Sequence, residues 1–265
     1  MAAEKKPVLG LLTGISYVSG VDYYRGISER FGVLLGGKGK LMPRNPLLSL
    51  VSVDCDEYAY ALTQERWDDV YAHLLSGVDM LVASGIDVLV IVSNTGHMCL
   101  PVVAAKHPSL RVLHIADCTA RAITARGFTK VGLLGTEPTM RRRYLKDRLA
   151  LHGVETLVPE RDEDLRQIFT YIMKELGQNV FADSTRAFFA DQVAKLVSAG
   201  CQGVILGCTE IELLELADVC PGVPLFRSAE LHIEACARVA AGLDDVAAYD
   251  PAAGKAAAEV LVAAE

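Results

Sequence analysis

This 265-residue chain has no apolar run long and uncharged enough to cross a bilayer. Its longest apolar region, Val78 to Val92, is cut by Asp79 and Asp87. It also lacks a basic stripe. With 26 Lys and Arg against 33 Asp and Glu the net charge is −7, so a nucleic-acid partner is not expected. Neither Cys-x-x-Cys nor His-x-x-x-His occurs, which leaves no sequence basis for a metal site. The first βα turn, Leu11 to Tyr17, holds one glycine where a dinucleotide fingerprint needs three, and no Walker-type loop is present. NAD is rejected on that ground. The seven cysteines are odd in number and no apolar leader precedes them, because Met1 to Lys6 runs directly into the first apolar stretch. A reducing, cytosolic setting is expected.

The composition that remains is ordinary for a globular protein: 51% hydrophobic and 22% charged. The length favours two domains over one core. Strand-like apolar runs fall near 7–13, 48–53, 87–93, 111–115, 130–135, 154–158, 203–207 and 223–226. Between them lie helical patterns over Gly20–Leu35, Gln64–Ser84, Ala116–Arg126, Thr139–Leu151, Glu163–Leu176, Ser184–Ala199 and Ser228–Ala240. This alternation predicts an α/β fold: parallel sheets flanked by helices. Lys130 to Thr136 reads as a fresh first strand echoing Pro7 to Thr13. The chain therefore divides into two similar domains, 1–117 plus 229–265 and 118–228. After Leu243 the Ala-rich tail shows no core face, and Asp250-Pro251 is expected to open a loose end.

Two stretches look like copies of one device. Val88 to Val92 runs into Ser93-Asn94-Thr95-Gly96-His97, and Gly203 to Leu206 runs into Gly207-Cys208-Thr209-Glu210. Each is a short apolar run that stops at small polar residues, as a strand buried on both faces would. Ligands of open α/β sheets bind beyond the carboxyl ends of the strands, so Ser93 and Cys208 are candidates to face a substrate from two sides. At a helix start Cys208 would have its thiolate stabilised and its pKa lowered; the alternative is an inert buried thiol. Asn94, Thr95 and Thr209 suit a carboxylate, and equally suit N-cap positions. Cys55, Cys99, Cys118, Cys201, Cys220 and Cys236 read as packing residues. His97 follows a site loop but reads equally as a surface histidine, and Arg141-Arg142-Arg143 as a solvated helix face.

On these residues the chain resembles the aspartate/glutamate racemase superfamily, cofactor-independent enzymes of two α/β domains with the active site in the cleft between them. The family pairs a Cys-Asn-Thr in the first half with a Gly-Cys-Thr-Glu or Gly-Cys-Thr-His in the second. Here the second is intact at Gly207 to Glu210, and the first reads Ser93-Asn94-Thr95. Gly14-Ile15-Ser16 with Tyr23-Tyr24-Arg25 is similar to the family's first glycine turn and helix, although Thr13 and Ile15 replace a typical Gly and Met. Leu113 to Asp117 with Arg121-Ala122-Ile123 resembles the domain crossing. Leu133-Leu134-Gly135-Thr136 with Thr139-Met140 resembles the strand that opens the second domain. The resemblance covers about Val8 to Val239 and is closest to the branch lacking the first cysteine.

The resemblance implies two flanking acid–base groups, one removing the substrate's α-proton and the other returning a proton to the opposite face. Cys208 and Ser93 take these roles. Gly14, Ile15, Ser16, Asn94, Thr95, Thr136, Thr139 and Thr209 would bind the substrate, and Glu210 would orient or tune Cys208. No pyridoxal phosphate or metal is needed, and a homodimer is expected by analogy and on frequency. An alcohol is a far poorer acid–base group than a thiol, so a symmetric two-thiol racemase is not expected. Three outcomes follow: a direction-biased racemase; a one-base lyase or isomerase, such as the dimethylsulfoniopropionate lyases of this superfamily; or a non-catalytic carboxylate-binding homologue. Aspartate-selective members hold the distal carboxylate with basic groups, whereas Val53 to Glu57 supplies acids. Lys38, Lys40 and Arg44 would reach in from the 36–46 segment, which otherwise reads as a solvated connector.

Overall fold

A computed structural model describes residues 6–37, 39 and 41–251. The chain separates into two compact units, one running up to His114 and resuming at His232, the other spanning Ile115–Leu231. The first unit contains β1 (Leu9–Thr13), α1 (Tyr17–Leu34), β2 (Leu48–Ser52), α2 (Cys55–Thr63) and α3 (Trp67–Ala83). It continues with β3 (Val88–Ile91), a 3₁₀ turn (Thr95–Cys99), α4 (Leu100–Lys106) and β4 (Arg111–Val112). The second unit contains α5 (Ile115–Thr124), β5 (Lys130–Gly135), α6 (Glu137–Arg141), α7 (Tyr144–Leu151), β6 (Glu155–Leu157) and α8 (Asp162–Lys174). Then come α9 (Asp183–Ser198), β7 (Val204–Gly207), α10 (Thr209–Glu212), β8 (Leu225–Arg227) and α11 (Ser228–Ala241), which carries the chain back to the first unit.

Each unit holds a four-stranded, wholly parallel sheet, ordered β2-β1-β3-β4 and β6-β5-β7-β8. The central strands β1, β3, β5 and β7 are buried almost throughout, and the edge strands are only partly so. Helices cover both faces of a parallel sheet, so its central strands are apolar without alternation. Successive residues still point to opposite faces: Ile205 packs with Ile115, Ile123 and Leu149, and its neighbours Val204 and Leu206 pack with Ile168, Phe189 and Val193. In the first unit Leu12, Leu89 and Ile91 pack against Leu74, Val78 and Leu81 of α3.

Two sequence expectations differ from the structure. The helix expected over Thr139–Leu151 is two helices. Arg142 is extended (φ −75, ψ 160), and Lys146 Nζ donates to the carbonyls of Met140 (2.8 Å) and Arg141 (3.3 Å) at the break. The arginine run keeps the solvated character expected of it: Arg141 and Arg143 are exposed, and they pair at the surface with Glu137 (2.6 Å) and Asp162 (2.7 Å), and with Asp147 (2.9 Å), respectively. The segment after Leu243 is tied down as far as Asp250. Asp244 accepts from Arg238 (2.8 Å) and Tyr249 (2.7 Å), while Val246 and Tyr249 are buried. Residues 252–265 lie outside the described residues. The short helix α2 carries no strong apolar period, and its start is marked by Asp54, which accepts from the N–H groups of Asp56 (2.9 Å) and Glu57 (3.1 Å) in an ordinary N-cap.

Candidate active site

In the first unit β1 and β3 lie side by side, and the strand order reverses between them. That reversal is where open α/β sheets bind ligands. Gly14 turns the chain away from β1 with φ +90, and a Cβ there would sit 2.2 Å from Val53 O. Only glycine fits that turn. Ile15 and Ser16 follow, Ser16 being the extended residue before α1. After β3, Ser93 is fixed at two points. Its Oγ accepts from Gly96 N–H (3.1 Å), and its main-chain oxygen accepts from His97 Nδ1 (2.7 Å). Asn94 and Thr95 are buried, and Asn94 has helical dihedrals with no side-chain cap bond. Capping therefore falls to Ser93 rather than to Asn94. A Cβ on Gly96 would stand 2.8 Å from Ile15 Cδ1, so the Gly14–Ser16 turn and the Ser93–His97 turn are in close packing.

The second unit repeats the arrangement. Gly135 and Gly207 are register partners at the ends of β5 and β7, which places Thr136 and Cys208 at neighbouring strand ends. Thr136 caps α6, and Thr139 is fully buried with its hydroxyl between Thr136 Oγ1 (2.9 Å) and Tyr144 Oη (2.9 Å). Cys208 is half-buried and precedes α10, which has no side-chain cap bond, so Thr209 is not an N-cap. One carboxylate oxygen, Glu210 Oε2, accepts from both Cys208 Sγ (2.9 Å) and Thr209 Oγ1 (2.7 Å).

The electrostatics overturn the expectation of a lowered thiol pKa. Burial first, then the Glu210 carboxylate, push Cys208 well above the ordinary thiol range. α10 is a single turn, and a helix so short offers little dipole to offset an acidic neighbour. Cys208 therefore rests as a neutral thiol hydrogen-bonded to a carboxylate.

Glu212, which the sequence did not single out, is buried two residues further on. Its Oε1 accepts from Ala229 N–H (2.9 Å) and its Oε2 lies 3.5 Å from Arg227 Nε. Burial raises its pKa to about 8 against those two contacts. His97 is not a surface residue. It is 1% exposed, and its ring packs on His114 at 4.4 Å between centroids. Of the cysteines read as packing residues, Cys99, Cys118, Cys201, Cys220 and Cys236 are buried. Cys55 is exposed, and its Sγ donates to Ile15 O (3.1 Å). Arg44 is exposed, and Lys38 and Lys40 lie outside the described residues. Among the described residues there is no group of three or more His, Cys, Asp or Glu placed to hold a metal. No described helix is long and apolar enough to cross a membrane.

The model of the Asp/Glu/hydantoin racemase family matches residues 12–236, from β1 to α11. The chain belongs to that family. A solved candidate Asp/Glu racemase from Yersinia pestis is 34% identical, with a TM-score of 0.77 over 88% of this chain and 99% of that one. An aspartate racemase homologue from Pyrococcus horikoshii is 26% identical, with a TM-score of 0.69 over the same shares of the two chains. The curated glutamate racemase of Thermus thermophilus is 29% identical over 164 residues, 60% of this chain and 57% of that protein's length. The paired parallel sheets described above match the two-domain fold of these racemases.

Proposed function

We propose that this protein is a cofactor-independent amino-acid racemase of the aspartate/glutamate type, with Cys208 the principal acid–base group and Ser93 in place of the second thiol. One observation carries the reading. The Gly207-Cys208-Thr209-Glu210 run sits where the strand order of its sheet reverses, with thiol and carboxylate 2.9 Å apart, in a chain of this family. The pair shares one proton: thiol with carboxylate, or thiolate with carboxylic acid. In the second state Cys208 takes the α-proton, and the C–H electron pair delocalises into the substrate carboxylate. A proton from Ser93 on the opposite face completes inversion; water reprotonates the serine alkoxide, and the proton held by Glu210 neutralises the hydroxide so formed, which restores the thiol–carboxylate pair. Serine is the weaker acid, so the two directions run at unequal rates. The Gly14–Ser16 turn, Asn94, Thr95, Thr136 and Thr209 hold the carboxylate and the enolate-like charge that forms on it, with Thr139 bracing Thr136. The reading includes a small carboxylate or amino-acid substrate, a homodimer and a cytoplasmic location.

The test is proton NMR in D₂O with a panel of L- and D-amino acids plus dimethylsulfoniopropionate. Loss of the α-proton signal with an intact carbon skeleton supports the racemase. Cys208→Ala should abolish that exchange without unfolding the protein, and retained exchange would sink the assignment. Ser93→Cys should bring the two directions closer, and complete loss of activity would count against it. Ser93 itself favours a second reading, a one-base lyase using Cys208 alone, which acrylate release would establish. A folded protein silent across the panel would point to a carboxylate-binding homologue.

A further inference from the structure

We propose that His97 is a positioning residue for Ser93, and that His114, His232 and Tyr23 exist in the first unit to hold its ring in place. The proposal deepens the racemase reading, on which Ser93's role rests. The three imidazoles and the phenol are buried: His97 1%, His114 7%, His232 0% and Tyr23 1% exposed. Buried polar rings persist where they satisfy something a hydrocarbon cannot.

For His97 that group is the Ser93 carbonyl. The turn after β3 is 3₁₀, so the His97 N–H is taken by Asn94 O (3.2 Å), and the imidazole reaches back to Ser93 O (2.7 Å). A carbonyl only accepts, so Nδ1 of His97 carries the proton. With Gly96 N–H on the hydroxyl, both ends of Ser93 are fixed: its peptide plane by His97 and its side chain by Gly96.

The rest of the cluster orients that ring. His114 packs on it at 4.4 Å with planes 46° apart, and His232 lies 6.1 Å away. His232 is held in turn, with Nε2 donating to Leu113 O (2.9 Å) and, in the neutral ring, Nδ1 accepting from Tyr23 Oη (3.0 Å). These residues come from α1, the turn after β3, the segment after β4, and α11. A single donor is thereby braced from three other parts of its unit. Displacing a reacting group by about 1 Å costs on the order of 100-fold in rate, so such bracing has a kinetic consequence.

The first measurement uses the wild-type protein and long-range ¹H–¹⁵N correlation of its histidines. His97 should appear as the Nδ1–H tautomer and His232 as Nε2–H. His97 protonated on Nε2 alone would overturn the proposal. The second compares His97→Leu, which keeps bulk but removes the donor, with His97→Asn, whose amide places a donor near the same point. In α-proton exchange His97→Leu should lower kcat on the order of 10-fold or more with KM little changed, and His97→Asn should recover most of it. Equal loss in both, or a matching loss of thermal stability in both, would mean a purely structural histidine. If the wild type is silent on every substrate, the racemase reading fails, and the positioning is then read from iodoacetamide alkylation in a Ser93→Cys background. There His97→Leu should change the alkylation rate at residue 93 and His97→Asn should not; no difference would overturn the inference.

Discussion

Cys208 donates its S–H to a carboxylate that also serves Thr209, and this contact adds to burial in setting the behaviour of the site thiol. Because burial and Glu210 both disfavour the thiolate, iodoacetamide alkylation of Cys208 should keep accelerating above pH 9, with no inflection near neutrality. Glu210→Gln removes the negative neighbour and should move the alkylation profile to lower pH. An unmoved profile would show that burial alone sets the thiol. The Cys-Thr-Glu spacing made these three residues legible as a unit, but the sign of the pKa shift was not. Sequence places Cys208 before a helix, and only the structure shows that the helix is one turn long with its acid turned back onto the sulfur. Ser93 and His97 show the same division. Their nearness in sequence is plain, whereas the burial of His97 depends on His114 and His232, far along the chain.

Among the elements, all eight expected strands are present, because central parallel strands are continuous apolar runs that periodicity can find. Helix boundaries were harder. The break between α6 and α7 depends on ion pairs from Arg141 to Asp162 and on Lys146 capping two carbonyls, interactions that no local propensity encodes. α5 is locked in a related way. Asp117, 3% exposed, takes two bonds from Arg148 (both 2.7 Å) and one from His152 (2.9 Å) on the α7 side. Asp117→Ala should cost about 2–4 kcal/mol in urea unfolding, since it removes the three hydrogen bonds that this buried carboxylate takes from Arg148 and His152. A loss below about 0.5 kcal/mol would mean that the pair behaves like a surface one. At the β1–α1 turn, Gly14→Ala should cost at least about 2 kcal/mol and weaken any substrate binding, because φ +90 and the 2.2 Å approach to Val53 O both exclude a methyl group. A variant as stable as the wild type would show that the turn can rearrange.

For the whole molecule, the buried carboxyl of Glu212 links pH to stability. Its folded pKa of about 8 lies above the ordinary 4.5. Between these values the folded state keeps a proton that the unfolded state has released. Its contribution therefore favours folding below about pH 4.5, falls as pH rises toward 8, and is level above that. Thermal or urea unfolding across pH 5–8 should show a declining component that Glu212→Gln removes, since glutamine still accepts from Ala229 N–H without titrating. The same slope in wild type and variant would assign it to other groups. The repeated strand order β2-β1-β3-β4 and β6-β5-β7-β8 shows how a short device comes to occur twice. Each copy of the fold brings the ends of its first and third strands together, so Ile15 meets the Ser93–His97 turn in one unit, and Thr136 stands beside Cys208 in the other.

By itself the sequence determined the α/β class, the strands, the two polar strand ends and the family. These are written in local pattern and short motifs, which need no distant partner to be read. Tertiary structure alone decided which groups are buried and what faces them: the neutral thiol of Cys208, the raised acid of Glu212, the imidazole behind Ser93 and the paired arginines of α6 and α7. The physical reason is common to all four. Desolvation and hydrogen-bond partnership are properties of a residue's surroundings, and folding assembles those surroundings from remote parts of the chain.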